Sequence, residues 1–294
     1  MNRTNLILLG TQKAGTTSLY SWIIQHPNIT GNMVIKDIPV YMDEVNRKLE
    51  PSELDDMYKN DKTYDYYFHG WVHYISNLDE FFKYFEVTRN KKFIIVLRDP
   101  VERAISNFNY SRSLGFENSN SFLQTLKSHN EGKNNLDFNL KGYLSYIDNS
   151  LYSENIGKIL KHVSKENLLV LWFNDLENQP QETISSVFKF LNLKKTSVDL
   201  KKENITRELK YPILFKAWKV SLRLIPNYLK EFIPLHKRDK IRKKAHHILS
   251  SKLKFNSNIK HFEKVRIYNN LFQEDALKLE QLGYRPYWKN RYQK

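Results

Sequence analysis

The sequence predicts an α/β protein, a parallel sheet flanked by helices and followed by a helical C-terminal part. Three observations carry this. The runs LILL at 6–9, FIIVL at 93–97 and LLVLW at 168–172 are short and apolar on both faces, as strands buried on both sides are. A segment of helical spacing follows each run, and strands alternating with helices pair in parallel through right-handed crossovers. The final third holds no comparable apolar run.

In chain order, Leu6–Leu9 is the first strand and Thr16–Gln25 the helix after it, stopped by His26-Pro27. Residues 28–92 are less regular, Tyr-rich and acidic in PSELDDMYKNDKTYDYYF, and read as an insertion over one end of the sheet. Phe93–Leu97 leads into RDPVERAISNFNYSR, where Pro100 suits the first turn of a helix and Asp99 can cap it. SLGFENSNS and HNEGKNN are loops by their Gly, Asn and Ser content. Leu151–His162 reads as a helix, Leu168–Trp172 as the third strand, and Gln181–Leu191 as a helix opened by Pro180. HKRDKIRKKAHHILSSKLK, residues 236–254, reads as a basic helix with a solvated face. FEKVRIYNNLFQEDALKLEQLG reads as a further helix, with Phe262, Val265, Ile267, Leu271 and Leu277 as an approximate apolar stripe. With no internal repeat and no low-complexity linker, residues 1–294 read as one domain.

Composition bounds the chemistry. A chain of 294 residues with 40% hydrophobic content can bury a real core. Its 47 Lys and Arg against 32 Asp and Glu give a net charge of +15, a field that favours anionic partners. The absence of cysteine excludes disulfides, thiolate catalysis and cysteine zinc sites. His246 and His247 are adjacent rather than a turn apart, so they suggest no metal site. No apolar run approaches the roughly 20 residues of a membrane span, and the reading is a soluble, cytoplasmic protein.

The stretch GTQKAGTT, residues 10–17, joins the first strand to the first helix. The leading amides of a helix lack intrahelical acceptors and face an anion placed before them. The order differs from the triphosphatase loop G-x-x-x-x-G-K-[ST], because here the lysine precedes the second glycine. FIIVL ends in Arg98 rather than in a metal-binding carboxylate. Lys13 and Arg98 together suit a nucleotide with separate phosphate groups, handled without a metal.

GTQKAGTTSL resembles the 5′-phosphosulfate loop of sulfotransferases that use 3′-phosphoadenosine 5′-phosphosulfate, and LRDPVERAISNF resembles their 3′-phosphate motif. The resemblance covers most of residues 5–290, is nearest to the carbohydrate (heparan-sulfate) and bacterial members, and implies their P-loop-like fold. It implies that Lys13, Ala14, Gly15, Thr16 and Thr17 hold the 5′-phosphosulfate, with Lys13 also acting on the leaving group. Arg98 and Ser106, the latter about two turns into the following helix, would grip the 3′-phosphate. Tyr152 would contact the adenine, although core packing is an equal reading of that residue. The donor would be 3′-phosphoadenosine 5′-phosphosulfate (PAPS) and the product 3′-phosphoadenosine 5′-phosphate (PAP), with no metal.

Two groups compete as the base that activates the acceptor. Carbohydrate-type members use a Lys-Glu pair some twenty residues past the loop; Lys36-Asp37 stands there, its carboxylate one methylene shorter. Cytosolic small-molecule members use a His ahead of the Arg/Ser strand, and YFHGWVHYIS offers His69 and His73. The choice between Asp37 and His73 stays open. The implied acceptor is a hydroxyl, less readily an amine, of a small metabolite or carbohydrate. A non-catalytic nucleotide- or nucleic-acid-binding protein and a magnesium-dependent P-loop kinase are the alternatives. The first lacks an aromatic-and-basic recognition motif, and the second is opposed by the misplaced lysine.

Overall fold

The computed structural model describes residues 3–36, 55, 57–58, 63–85, 91–129, 142–201, 207–209, 250–252 and 259–292. The chain divides into two compact units, one of residues 1–104, 145–204 and 259–294, the other of residues 105–144 and 205–258.

The first unit is built on a five-stranded parallel sheet: β1 Leu6–Leu8, β2 Ile29–Thr30, β3 Tyr66–Gly70, β4 Lys92–Leu97 and β5 Leu168–Trp172. Their spatial order is β2-β3-β1-β4-β5. Successive residues of β4 point to opposite faces, and all of Phe93–Leu97 are buried, so both faces are covered, as a parallel sheet requires. On one face Leu6, Leu8, Phe68, Ile94 and Val96 pack against Leu19, Tyr20 and Ile23 of the helix Thr16–Ile23 and Ile184, Val187 and Phe188 of the helix Pro180–Phe190. Aromatic rings contribute on the other face, where Phe81, from the helix Leu78–Tyr84, meets Tyr74 at 4.6 Å, Phe85 at 4.8 Å and Phe93 at 6.5 Å between centroids.

The three apolar runs are strands, as predicted, and Pro100–Ser113 is the helix predicted after Arg98. Residues 28–92 are not simply an insertion: β3 lies inside the sheet, paired on both sides to β2 and β1. Its sequence, YYFHG, hides this, since it has no aliphatic run and closes on a glycine. That glycine is required by packing, because a Cβ on Gly70 would stand 2.7 Å from the Leu8 Cβ across the ladder. The expected helix over 262–283 is two helices, His261–Leu271 and Gln273–Gln281, broken at Phe272, where φ −127° and ψ −11° leave the helical basin. The break changes which residues face inward. Phe262 is 65% exposed and Leu277 43%, so neither belongs to a buried stripe, whereas Ile267 is buried.

In the second unit Phe108 packs on Phe122 of the helix Phe122–His129, with ring centroids 5.5 Å apart. Asn107 Nδ2 and Ser111 Oγ both donate to the Tyr143 carbonyl, at 3.2 and 2.6 Å. An antiparallel ribbon pairs β6 Arg207–Leu209 with β7 Ser250–Lys252. The predicted basic helix over 236–254 is therefore overturned at 250–252, where cross-strand pairing prevails over weak local preference. Its other residues lie outside those described. Among the described residues no helix is long and apolar enough to cross a membrane.

Candidate anion-binding and transfer site

From β1 the chain travels to the β2 side of the sheet, and from β4 it travels to β5 on the other side. The neighbours β1 and β4 thus send their connections in opposite directions. Beyond their carboxyl ends lies a topological switch point, where open α/β sheets form a ligand crevice. Residues 10–17 follow β1 and Arg98 follows β4, so the sheet brings the two sequence motifs to one place.

The loop is tied to the sheet beyond the end of β1. Leu9 N–H donates to Ile94 O at 2.9 Å, Val96 N–H to Gly10 O at 2.9 Å, and Thr11 N–H to Val96 O at 3.1 Å. Lys13 adopts φ 70° and Gly15 φ 77°, both left-handed, which turns the chain back into the helix Thr16–Ile23. A non-glycine residue in that region carries strain of about 1–3 kcal/mol, and such strain concentrates at functional loops. Gly15 is the N-cap and, as a glycine, has no side chain of its own to bond the leading amides of this helix. They and the helix dipole face the loop, where an anion would complete them. A Cβ on Gly15 would stand 3.2 Å from the Phe173 ring.

The Arg98 guanidinium stacks on the other side of this arrangement, its carbon 4.4 Å from the Phe173 ring centroid, and Nη1 donates to the Lys13 carbonyl at 2.9 Å. Burial, with the Arg98 charge second, lowers Lys13 from 10.5 to about 8. Two cations thus stand in one partly buried corner with helix amides beside them, the kind of arrangement a polyanion would need. Among the described residues Thr11 Oγ1 and Gln12 Oε1 are buried there without a partner; the hydroxyl can donate to a phosphate oxygen, and the amide oxygen can accept only from a hydroxyl or water.

Ala14 is fully buried with its N–H donated to Thr11 O at 3.2 Å, Thr16 is 4% exposed, and Thr17 is partly exposed. Ser106 lies on the helix Pro100–Ser113 and is 2% exposed. Tyr152 opens the helix Tyr152–His162, is fully buried, packs on Trp288 at 5.7 Å, and donates its hydroxyl to the Arg98 carbonyl at 2.7 Å. That burial favours support of the Arg98 main chain over open contact with a base.

His73, 5% exposed, sits with Nε2 3.4 Å from the Gln12 amide nitrogen, so it meets the anion loop itself. His69 is fully buried and bonds Tyr74 OH at 2.6 Å from within β3, a core role. Lys36, 3% exposed, ends the short helix Met33–Lys36, and Asp37 lies outside the described residues.

Sequence reasoning missed the second layer. Arg103 is fully buried and donates from Nε to Ser150 Oγ and from Nη2 to Tyr146 O, each at 2.6 Å; burial brings it down to about 10. Asp275 caps the helix Tyr152–His162 from outside it, accepting from Tyr152 N at 2.9 Å, Ser153 N at 2.9 Å and Ser153 Oγ at 2.6 Å. Its only sequence signal is an acidic residue within an otherwise ordinary amphipathic run.

A parallel α/β sheet that brings a lysine loop and an arginine to its switch point is an architecture of the P-loop-like class. The model of the Sulfotransferase domain matches residues 3–247, and the chain belongs to that family. It is 24% identical over 209 residues to the Bifunctional heparan sulfate N-deacetylase/N-sulfotransferase 1 of Caenorhabditis briggsae, covering 64% of this chain and 22% of that protein. It is 31% identical over 111 residues to the Membrane-associated sulfotransferase kil1 of Dictyostelium discoideum, covering 36% of this chain and 23% of that protein. The chain thus matches between a fifth and a quarter of the length of these curated relatives. A sulfotransferase structure from Alicyclobacillus acidocaldarius superposes with a TM-score of 0.56 at 19% identity, over 69% of this chain and 87% of that one, and shares the fold.

Proposed function

We propose that this chain transfers the sulfuryl group of 3′-phosphoadenosine 5′-phosphosulfate to a hydroxyl, less readily an amine, of a small metabolite or carbohydrate, releasing 3′-phosphoadenosine 5′-phosphate. One observation carries the proposal: Arg98 donates to the Lys13 carbonyl, so the two motifs form a single cationic corner at the switch point. In this reading the main-chain amides of Gly15, Thr16 and Thr17 and the two threonine hydroxyls bind the 5′-phosphate, with Ala14 holding the turn through its bond to the Thr11 carbonyl. Arg98 and Ser106 bind the 3′-phosphate. Tyr152 fixes the Arg98 main chain.

The chemistry is an in-line displacement at sulfur, helped by positioning and by stabilising the charge that develops on the leaving phosphate. Lys13, charged at neutral pH and adjacent to the helix start, is the residue placed to hydrogen-bond the oxygen that bridges phosphorus and sulfur. The acceptor proton passes to His73 or Asp37. The contact of His73 with Gln12 supports the histidine, and its intrinsic pKa suits a base at neutral pH.

A screen of hydroxyl and amine acceptors with sulfur-labelled donor, read as bisphosphate release, tests the proposal. Lys13→Ala is expected to abolish transfer. Turnover retained in that variant, or turnover that requires added magnesium and a nucleoside triphosphate, would overturn it.

A further inference from the structure

The peptide that joins Arg98 to Asp99 has both of its polar atoms held by phenols. Tyr152 OH donates to the Arg98 carbonyl at 2.7 Å, and the Asp99 N–H donates to the Tyr287 oxygen at 3.3 Å. The Asp99 carboxylate, 1% exposed, is held as well. It accepts from Tyr292 OH at 2.9 and 2.8 Å, from Arg291 Nη1 at 3.2 Å, and from the N–H groups of Val101 at 3.1 Å and Glu102 at 3.2 Å. Tyr292 in turn stacks on Tyr268, with ring centroids 4.5 Å apart. Tyr287, Arg291 and Tyr292 all come from the C-terminal segment, 188 to 193 residues further along the chain.

A helix cap alone does not require this arrangement. Capping Pro100–Ser113 takes one side-chain oxygen, which an asparagine supplies equally well. Burial holds the Asp99 carboxyl above its usual range, so its ionised form works against folding even with Tyr292 and Glu102 N–H bonded to it. A buried charge that lowers stability and gathers partners from a distant segment, directly beside the residue proposed to grip the donor, fits a placement kept for function.

We infer that Tyr287 and Tyr292 are positioning residues, which lock the Arg98–Asp99 peptide and the Asp99 carboxylate so that the Arg98 guanidinium is set for the donor's phosphate. The inference rests on the reading of Arg98 as a donor-binding cation. With both atoms of its peptide fixed and Nη1 bonded to the Lys13 carbonyl, Arg98 needs little ordering when an anion arrives.

Tyr292→Phe tests this, because it removes one hydroxyl and leaves the ring to stack on Tyr268; Tyr287→Phe tests the other phenol. Binding of adenosine 3′,5′-bisphosphate by calorimetry is expected to weaken about tenfold for Tyr292→Phe, the loss of one bond to a charged group. The donor KM is expected to rise in step while kcat stays within about twofold. Ile184→Val, a core change away from the clamp, is the control: it lowers Tm and leaves the affinity unchanged. On an Arg98→Ala background Tyr292→Phe is expected to add no further loss, because it acts through that arginine. A wild-type chain that does not bind the bisphosphate overturns the donor reading and this inference with it. Wild-type binding matched by both Phe variants, or the full tenfold loss repeated on Arg98→Ala, overturns this inference alone.

Discussion

Raising the pH through 8 is expected to weaken donor binding, because Lys13 loses its proton there. Burial and the Arg98 charge lower the lysine from 10.5 to about 8. That difference, at about 1.4 kcal/mol per pH unit, sets about 3–4 kcal/mol against the ammonium form in the free chain. A polyanion reverses the bias, so the bound form holds the proton to higher pH. Below about 8 the lysine is already protonated and its contribution to binding does not change with pH; above it each further unit lowers the affinity about tenfold until the bound lysine also titrates. Calorimetry with adenosine 3′,5′-bisphosphate between pH 7 and 10, in buffers of different ionisation enthalpy, measures both the affinity and the proton taken up. Uptake is expected to approach one near pH 9. Lys13→Met is expected to abolish the slope and, by removing a desolvated charge, to raise Tm by a few degrees at pH 7. A flat wild-type profile over this range, or the same slope in Lys13→Met, would refute the reasoning.

Gly15→Ala is expected to cost about 1–3 kcal/mol of stability and at least tenfold in bisphosphate affinity, since φ 77° and the Phe173 ring at 3.2 Å both oppose a Cβ; thermal unfolding and calorimetry check this. The two candidate bases are separated by His73→Gln and Asp37→Asn: the one that acts should lower kcat by about 10²–10⁴ with bisphosphate affinity unchanged, and equal, small effects would exclude both. Asp275→Ala is expected to lower stability by about 2 kcal/mol, because it leaves the amides of Tyr152 and Ser153 uncapped and buried, and a Tm within a degree of wild type would contradict that role.

What could be read from sequence was what is local. β1, β4 and β5 announce themselves because a strand buried on both faces must be apolar throughout, and Lys13 and Arg98 stand out because each directly follows such a strand. β3 could not be seen, since Tyr66, Tyr67 and His69 carry polar atoms in place of an aliphatic run, and Tyr66 finds its partner, the Leu191 carbonyl, 125 residues away. The ribbon of β6 and β7 carries charged and polar residues with no period of two, so only the cross-strand pairing reveals it. Leu277 fits a helical stripe on paper, but the break at Phe272 puts it on a second helix, and Phe262, in the first turn of the first helix, is exposed there. The holders of Asp99 lie furthest from view, because no local rule links Asp99 to a tyrosine 193 residues away.

That separation has a consequence for how the chain is made. At about 5–20 residues per second, roughly 10–40 s pass on the ribosome between the synthesis of Asp99 and that of Tyr292, 193 positions later. Through that interval the sheet can assemble around β1 and β4 while the aspartate beside the second cation still awaits its partners. Under the proposed role of Arg98, firm hold on an anion beside it is expected only after Tyr292 has been synthesised and has reached Asp99.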